Sequence, residues 1–557
     1  MFRLLIFTLY MAMGFSQDGG VGEKSSPLNI PASFAGTYGE IRSGRFHAGL
    51  DFRVGGVVGE PIYSIDDGYI SRVTVSSTGY GNGLYITHPD GTTSIYGHMH
   101  NFSPEIARLV KERQYETESF NVNIVLDSDV FPVQRGDYIG NVGNSGSSAA
   151  PHLHFEVRQP DGSGPVNVIS AGYFEHRDDV PPEIRRVNFY SYEDSTGLVQ
   201  SELIKSFRGS SSKPLRVSDK FYVAVDAIDR QRGTPGKLGI EAYEFFLDGE
   251  SVYRFELGDY TYKEQETFNS LIDYREMVRS GAVLVKSLVE PGNGFTSKIT
   301  SANNGVFCLD DEDVHQVKVV VEDLDGNKKV ANFKVKRGIN ASEDTLKYER
   351  TLPWFAPYAF ARKGVKVSLP VMSLFRSESI EIDTVDVCGE FYSKVWQVHN
   401  PEVPMKNAGR ISIEVENLPD SLRSKAFLGY VSESGRVSYC GGQYSDGVVS
   451  GRLSSFGRYC VSVDTLGPKI QPRFTSAAAI RRGGQMSFTI KDDMSGIGNF
   501  RAEIDGKWVL AQFDRKYHKL WIVLDEEKVA RGCQHELVLT VKDNRDNIST
   551  FKYNFKW

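Results

Sequence analysis

A mainly antiparallel β chain of several domains is what this sequence predicts, and three observations predict it. Helical periodicity is scarce, whereas short β-branched and aromatic runs broken by Gly, Asn and Asp recur throughout, as in VKVVVEDLDGN at 317–327. At 557 residues the chain exceeds the about 250–300 that one hydrophobic core supports. Part of it is also duplicated. DVPPEIRRVNFY begins at Asp179 and DTLGPKIQPRFT at Asp464, and each leads into an apolar strand ending in acidic residues, a strand with an Asp-Gly turn, and a closing strand pair around an Asp/Asn-rich turn.

Taken in order, the chain opens with Arg3, a short apolar run and the small residues Gly14 and Ser16, which reads as a secretory signal peptide over 1–16. The run is too short to span a bilayer core of about 30 Å as a helix. No later segment is apolar enough to span it, so no integral membrane segment is expected after cleavage. Periplasm or cell envelope is the expected location. A first domain over 17–175 follows, then a β-sandwich over 179–338 with an insertion near 255–312, a β-rich domain over 340–463 whose fold the sequence does not name, and a second sandwich over 464–557. The two sandwiches resemble the immunoglobulin-like modules of exported bacterial proteins.

One helix interrupts the β pattern. Ser103 at the N-cap and Pro104 at the first helical position precede EIARLVKERQYETESF, with Ile106, Leu109 and Val110 on one face. The composition, 40% hydrophobic and 24% charged with a net charge of −7, is that of a globular protein with no basic face for nucleic acid. Five cysteines without C-x-x-C spacing exclude a structural zinc knot, and Cys440 and Cys460 lie in neighbouring strand-like runs where either a bridge or two free thiols fits.

The chemistry concentrates in the first domain. Six of the eleven histidines, His47, His88, His98, His100, His152 and His154, fall there, in GRFHAGLDF, YITHPDG, SIYGHMHNF and HLHFEVR. In a strand, alternate side chains share a face, so His152, His154 and Glu156 point one way and Leu153, Phe155 and Val157 the other. Two imidazoles about 6–7 Å apart on a stiff strand can divide labour, one binding a metal and the other approaching what the metal holds. Two neutral nitrogens and one carboxylate suit catalytic zinc, whereas softer metals would want Cys or Met and calcium mostly oxygen. His88, at a strand end before a turn, reads as structural. For Glu156 a solvated strand carboxylate is favoured over an acceptor that orients an imidazole.

Singly these patterns are weak, but their order and flanking stretches are specific. Together with GEPIYSIDDGYISRV and VQRGDYIGNVGNSG they make residues from about 34 to 170 similar to the lysostaphin/LytM-type zinc metallopeptidases, which are peptidoglycan-directed endopeptidases. The resemblance implies one Zn²⁺ per chain held by His47, Asp51 and His154, with His98 and His152 as the catalytic histidines. It implies peptidoglycan as substrate, with the β modules offering surfaces for cell-envelope protein partners. His100 and Glu156 are candidate substrate or supporting residues. The helix near 104–117 and the acidic run VLDSDVF stretch a connection that is short in that family, and the expectation is that they wall the groove. A non-catalytic wall-binding or hydrolase-activating scaffold is the alternative function.

Overall fold

The computed structural model describes residues 24–42, 44–173, 178–195, 197–233, 236–338, 351–474, 480 and 482–557. The expected signal peptide and the boundary near 340 lie outside them. Among the described residues the chain is mainly β, and no helix is long and apolar enough to cross a membrane.

The first domain is built on an eight-stranded antiparallel sheet. Its strand order is Phe34–Gly36, Leu50–Arg53, His152–Arg158, Thr93–Gly97, Gly83–Thr87, Gly68–Val75 and Val122–Val125, with Pro132–Val133 also paired to Gly68–Val75. A small sheet of Pro61–Tyr63, Tyr138–Val142 and Met99–Phe102 lies beside it. Leu153, Phe155 and Val157 are fully buried, so the apolar face of the HLHFEVR strand is core.

The expected helix runs Pro104–Glu116 from an N-cap at Ser103 and buries Ile106, Val110 and Gln114. It does not wall the groove. It faces the C-terminal module instead: Lys111 Nζ lies 2.6 Å from Asp525, Glu118 pairs with Arg501 at 2.6 Å, and Tyr115 meets Trp508 edge to face at 5.0 Å.

Among the described residues, 179–338 and 351–463 each form two larger sheets and one two-stranded ribbon, and 464–557 forms two four-stranded sheets. The duplication is visible in sheet order. The sequence Lys328–Arg337, His315–Glu322, Ala242–Leu247, Glu250–Glu256 in one copy is matched by Ile548–Lys556, Gln534–Asp543, Ile497–Ile504, Lys507–Trp508 in the other. A hydrogen-bonded clasp recurs with it. Asn327 Nδ2 donates to Asp178 O and Asp323 Oδ2, and Asn547 Nδ2 donates to Asp464 O and Asp543 Oδ2. This moves the correspondence by one residue: Asp178, not Asp179, is the counterpart of Asp464.

Packing and the cysteines add two facts. The first two units share one continuous core running from Leu28 to Val335, whereas 352–463 and 480–557 each have their own. Phe46 is the centre of that fusion, packed at 5.0–6.2 Å against Phe268, Tyr260, Phe295 and Phe255 of the second unit. Burying an aromatic of this kind contributes about 1.5–3 kcal/mol. Its next neighbour in sequence is His47, so the second unit is packed against the base of the candidate site. All five cysteines are free, including Cys440 and Cys460.

Candidate metal centre

Strand register assembles the site. His154 lies opposite Asp51 on one neighbouring strand and opposite Gly97 on the other, which places Asp51, His154 and the residue after Gly97, His98, side by side. His47 enters from the turn three residues before Leu50–Arg53. A Cβ at Gly97 would sit 3.1 Å from the Tyr80 ring and 3.3 Å from His154 Cβ, so a larger residue there would press on both side chains.

Three donor atoms converge. His47 Nε2 lies 3.0 Å from His154 Nδ1 and 3.1 Å from Asp51 Oδ1, and His154 Nδ1 lies 3.0 Å from Asp51 Oδ1. His152 Nε2 stands 3.4 Å from the same carboxylate oxygen. The outer nitrogens fix which atoms carry lone pairs, because a carbonyl or carboxylate can only accept. His47 Nδ1 donates to Thr37 O at 2.9 Å, His152 Nδ1 to Ala150 O at 2.8 Å, and His154 Nε2 to Glu156 Oε2 at 3.4 Å. The inner nitrogens of all three rings therefore aim lone pairs at one carboxylate, an arrangement that only a cation relieves. A proton can serve in its place: burial would lower His154, but Asp51 and Glu156 push it up to about 9.

The fit to a metal is good. His47, Asp51 and His154 are buried and their donor atoms are mutually within 4.8 Å. A tetrahedral ion with bonds of about 2.0–2.1 Å separates its ligands by about 3.3 Å, a few tenths of an ångström wider than seen here. Burial would raise Asp51, but His47 and the hydrogen bonds of the three histidines hold it well below the usual carboxylate range. Arg42 donates to its second oxygen at 2.5 Å, leaving Oδ1 as the free donor.

His98 has φ +60, which ends the Thr93–Gly97 strand and breaks the alternation that would have put His98 and His100 on one face. Its ring stacks edge-on against His152 at 4.9 Å, and Nδ1 donates to Ser145 O at 2.9 Å. Burial, then the nearby His154 and His152, lower it to about 3. His100 is exposed on the next strand. His88 is buried between Asp67 O and Ser94 Oγ, each at 2.8 Å, a structural role.

Glu156 is corrected. It is fully buried, accepting from Tyr80 at 2.5 Å, Tyr262 at 2.7 Å and Arg158 at 2.8 Å besides His154. Burial would raise it, yet His154 and Arg158 lower it to about 2. A cleft of about 540 Å³ opens over the centre, lined by Arg42, Arg45, Tyr80, Ser147 and, from the insertion of the second unit, Tyr262 and Gln265.

Comparisons with known proteins bear on the same domain. The sequence profile of peptidase family M23 matches residues 45–115, a stretch that holds His47, Asp51 and His98. The DD-carboxypeptidase/endopeptidase Mpg of Neisseria meningitidis serogroup B is 31% identical over 130 residues, 23% of this chain and 24% of the relative. The chain carries an M23 peptidase domain.

The cell division protein DipM of Caulobacter vibrioides is 27% identical over 139 residues, 25% of this chain and 18% of that protein. The chain thus spans about a quarter or less of the length of these curated relatives. Among solved structures, the catalytic domain of EnpA from Enterococcus faecalis is 27% identical with a TM-score of 0.19, covering 26% of this chain and 93% of that one. The catalytic domain of lysostaphin from Staphylococcus simulans is 25% identical with a TM-score of 0.18, covering 24% and 86%. A Zu5-like domain profile matches residues 349–464, which supplies a name for the region whose fold the sequence alone left open.

Several residues around the M23 centre escaped the sequence reading. Tyr80 was within reach of it, in the GYGNG turn between two motif strands. Arg42, two residues from an acidic neighbour, carried no pattern. Tyr262 and Gln265 lie more than a hundred residues beyond the last motif and have no local signal.

Proposed function

We propose that this chain is an exported zinc metalloendopeptidase that hydrolyses amide bonds in the stem peptides or cross-bridges of peptidoglycan. The observation that carries the reading is the convergence of His47 Nε2, Asp51 Oδ1 and His154 Nδ1 to 3.0–3.1 Å of one another with His98 and His152 beside them. The M23 match and a relative named as a DD-carboxypeptidase/endopeptidase support it. Periplasm or cell envelope is the compartment that fits this substrate.

His47, Asp51 and His154 would hold one Zn²⁺, which when bound would supply a Lewis acid for the scissile carbonyl and for a water. The remaining work belongs to side chains. His98, with Nδ1–H committed to Ser145 O, offers Nε2 as a proton acceptor, and His152, with Nδ1–H committed to Ala150 O, does the same from the other side. One takes the proton of the attacking water, and the other stabilises the developing oxyanion or passes a proton to the leaving amine. Glu156 holds the His154 ring and its tautomer. Tyr262 and Gln265 wall the cleft on the side of the second unit, limiting what can lie across it.

The test is zinc content together with release of amine termini from purified sacculi by the full chain. One zinc per chain, and release that a chelator abolishes and zinc restores, are expected. Zinc-loaded protein that leaves sacculi intact would instead favour the scaffold alternative.

A further inference from the structure

The loop 143–151, GNSGSSAAP, aims both catalytic candidates. Ser145 O receives the Nδ1–H of His98, and Ala150 O that of His152. Within the first unit the loop is latched to the GYG turn: Asn82 N donates to Ser145 Oγ at 2.9 Å and Gly79 N to Ser147 Oγ at 3.0 Å. Gly81 at φ +66 and Gly146 at φ +67 press backbone to backbone, so that a Cβ on either would lie 2.4 Å from the other segment. A further restraint comes from a distant part of the chain. Lys516, in the hairpin turn between Ala511–Asp514 and Lys519–Val523, places Nζ against Asn144 O and within 3.5 Å of Gly146 O. Those two carbonyls flank Ser145, whose own carbonyl fixes His98.

The hairpin reaches that position because its module is docked along the helix Pro104–Glu116. Asp525 and Arg501 pair with Lys111 and Glu118, Trp508 meets Tyr115, and Lys528 lies 4.7 Å over the Tyr115 ring. Phe120, just beyond the helix, packs against the C-terminal core as well as the N-terminal one. The attachment is therefore a run of ionic and aromatic contacts ending at the active-site loop. A lysine ammonium has three N–H donors, enough to hold two carbonyls at once.

We propose that the C-terminal module completes the catalytic site through Lys516, a positioning residue that fixes the 144–146 loop and through it the His98 ring. The inference rests on the peptidase reading above. Docking of the module sets turnover, so whatever lifts the module from the helix slows the enzyme without removing its metal. This gives the outermost module a part in catalysis beyond spacing or wall attachment.

The test uses the full chain with Lys516→Met and Lys516→Arg. Each is measured for zinc content, for the maximal rate and half-saturating amount of sacculi in amine release, and for hydrogen exchange of 143–151. Lys516→Met is expected to keep one zinc and its half-saturation point, to lose about tenfold in maximal rate and to exchange faster in 143–151. Lys516→Arg, which keeps the cation and its donors, restores most of both. Wild-type maximal rate and wild-type exchange in Lys516→Met would overturn the proposal. If the unmutated chain itself leaves sacculi intact, the peptidase reading fails, and exchange alone decides: lost protection in Lys516→Met upholds the clamp, retained protection refutes it.

Discussion

Glu156→Gln isolates the most informative buried group at the centre. The carboxylate receives four donors, Tyr80, Tyr262, Arg158 and His154, and offers about four lone-pair sites, so each is used. Glutamine keeps one oxygen and brings two N–H groups. The tyrosine hydroxyls can turn to accept and Arg158 can stay on the remaining oxygen, which leaves the Nε2–H of His154 facing an N–H. The neutral imidazole, which in the unmutated chain keeps its one proton on Nε2 against Glu156, then keeps it on Nδ1, the atom that faces His47 Nε2 and Asp51 Oδ1 at 3.0 Å. Metal binding must displace that proton. Loss of such an orienting partner costs about 10- to 100-fold in metal affinity, or about 1.4–2.7 kcal/mol. The 3.4 Å length of the His154 contact places the expected loss nearer tenfold. Competition with a chelating indicator at pH 7.5 measures it directly, with near-ultraviolet circular dichroism reporting the folded state. A folded Glu156→Gln that binds zinc within twofold of the unmutated chain would refute the reasoning.

Two further predictions follow from other groups. Tyr262→Phe removes one hydroxyl from the same carboxylate, so the first unfolding transition should fall by about 1–2 kcal/mol while zinc affinity drops less than in Glu156→Gln; an equal drop in affinity would count against the proton-shift argument. In the second unit, burial, then Asp323, Asp178 and Asp325, push the Asp229 carboxyl up to about 7, against about 3.9 in an unfolded chain. Between these values the native state keeps a proton that the unfolded chain releases, so stability falls as pH rises from about 4 to about 7, by at most about 4 kcal/mol. Asp229→Asn should flatten that slope in thermal unfolding between pH 4 and 8, and an unchanged slope would exclude Asp229 as its source.

What was legible in the sequence was whatever strand geometry governs locally. Alternation along HLHFEVR separates His152 and His154 from the buried Leu153, Phe155 and Val157, and His154 lies opposite Asp51 as antiparallel pairing allows. Alternation does not extend to His98, where a left-handed backbone turns the chain and leaves His100 exposed. Glu156 read as a surface carboxylate because its partners Tyr80 and Tyr262 lie 76 and 106 residues away, and no local pattern announces such pairs. For the helix, an amphipathic face says that something packs there without saying what. Its partner proved to be the C-terminal module through Asp525, Arg501 and Trp508. The duplication was visible as repeated Asp/Asn turns, yet its register needed the Asn327 and Asn547 clasps to place Asp178 against Asp464. The shared core around Phe46 could not be foreseen, since a fused and a separate interface use the same apolar residues.

The central claim is that His47, Asp51 and His154 hold the metal while His98 and His152 handle protons in cutting peptidoglycan. Mass spectrometry of muropeptides from sacculi treated with zinc-loaded unmutated chain and with zinc-loaded His152→Ala tests it most directly. The account predicts new peptide termini with the first and an intact muropeptide profile with the second, at equal zinc content. Cleavage by His152→Ala at the unmutated rate, or an intact profile from both, would contradict it.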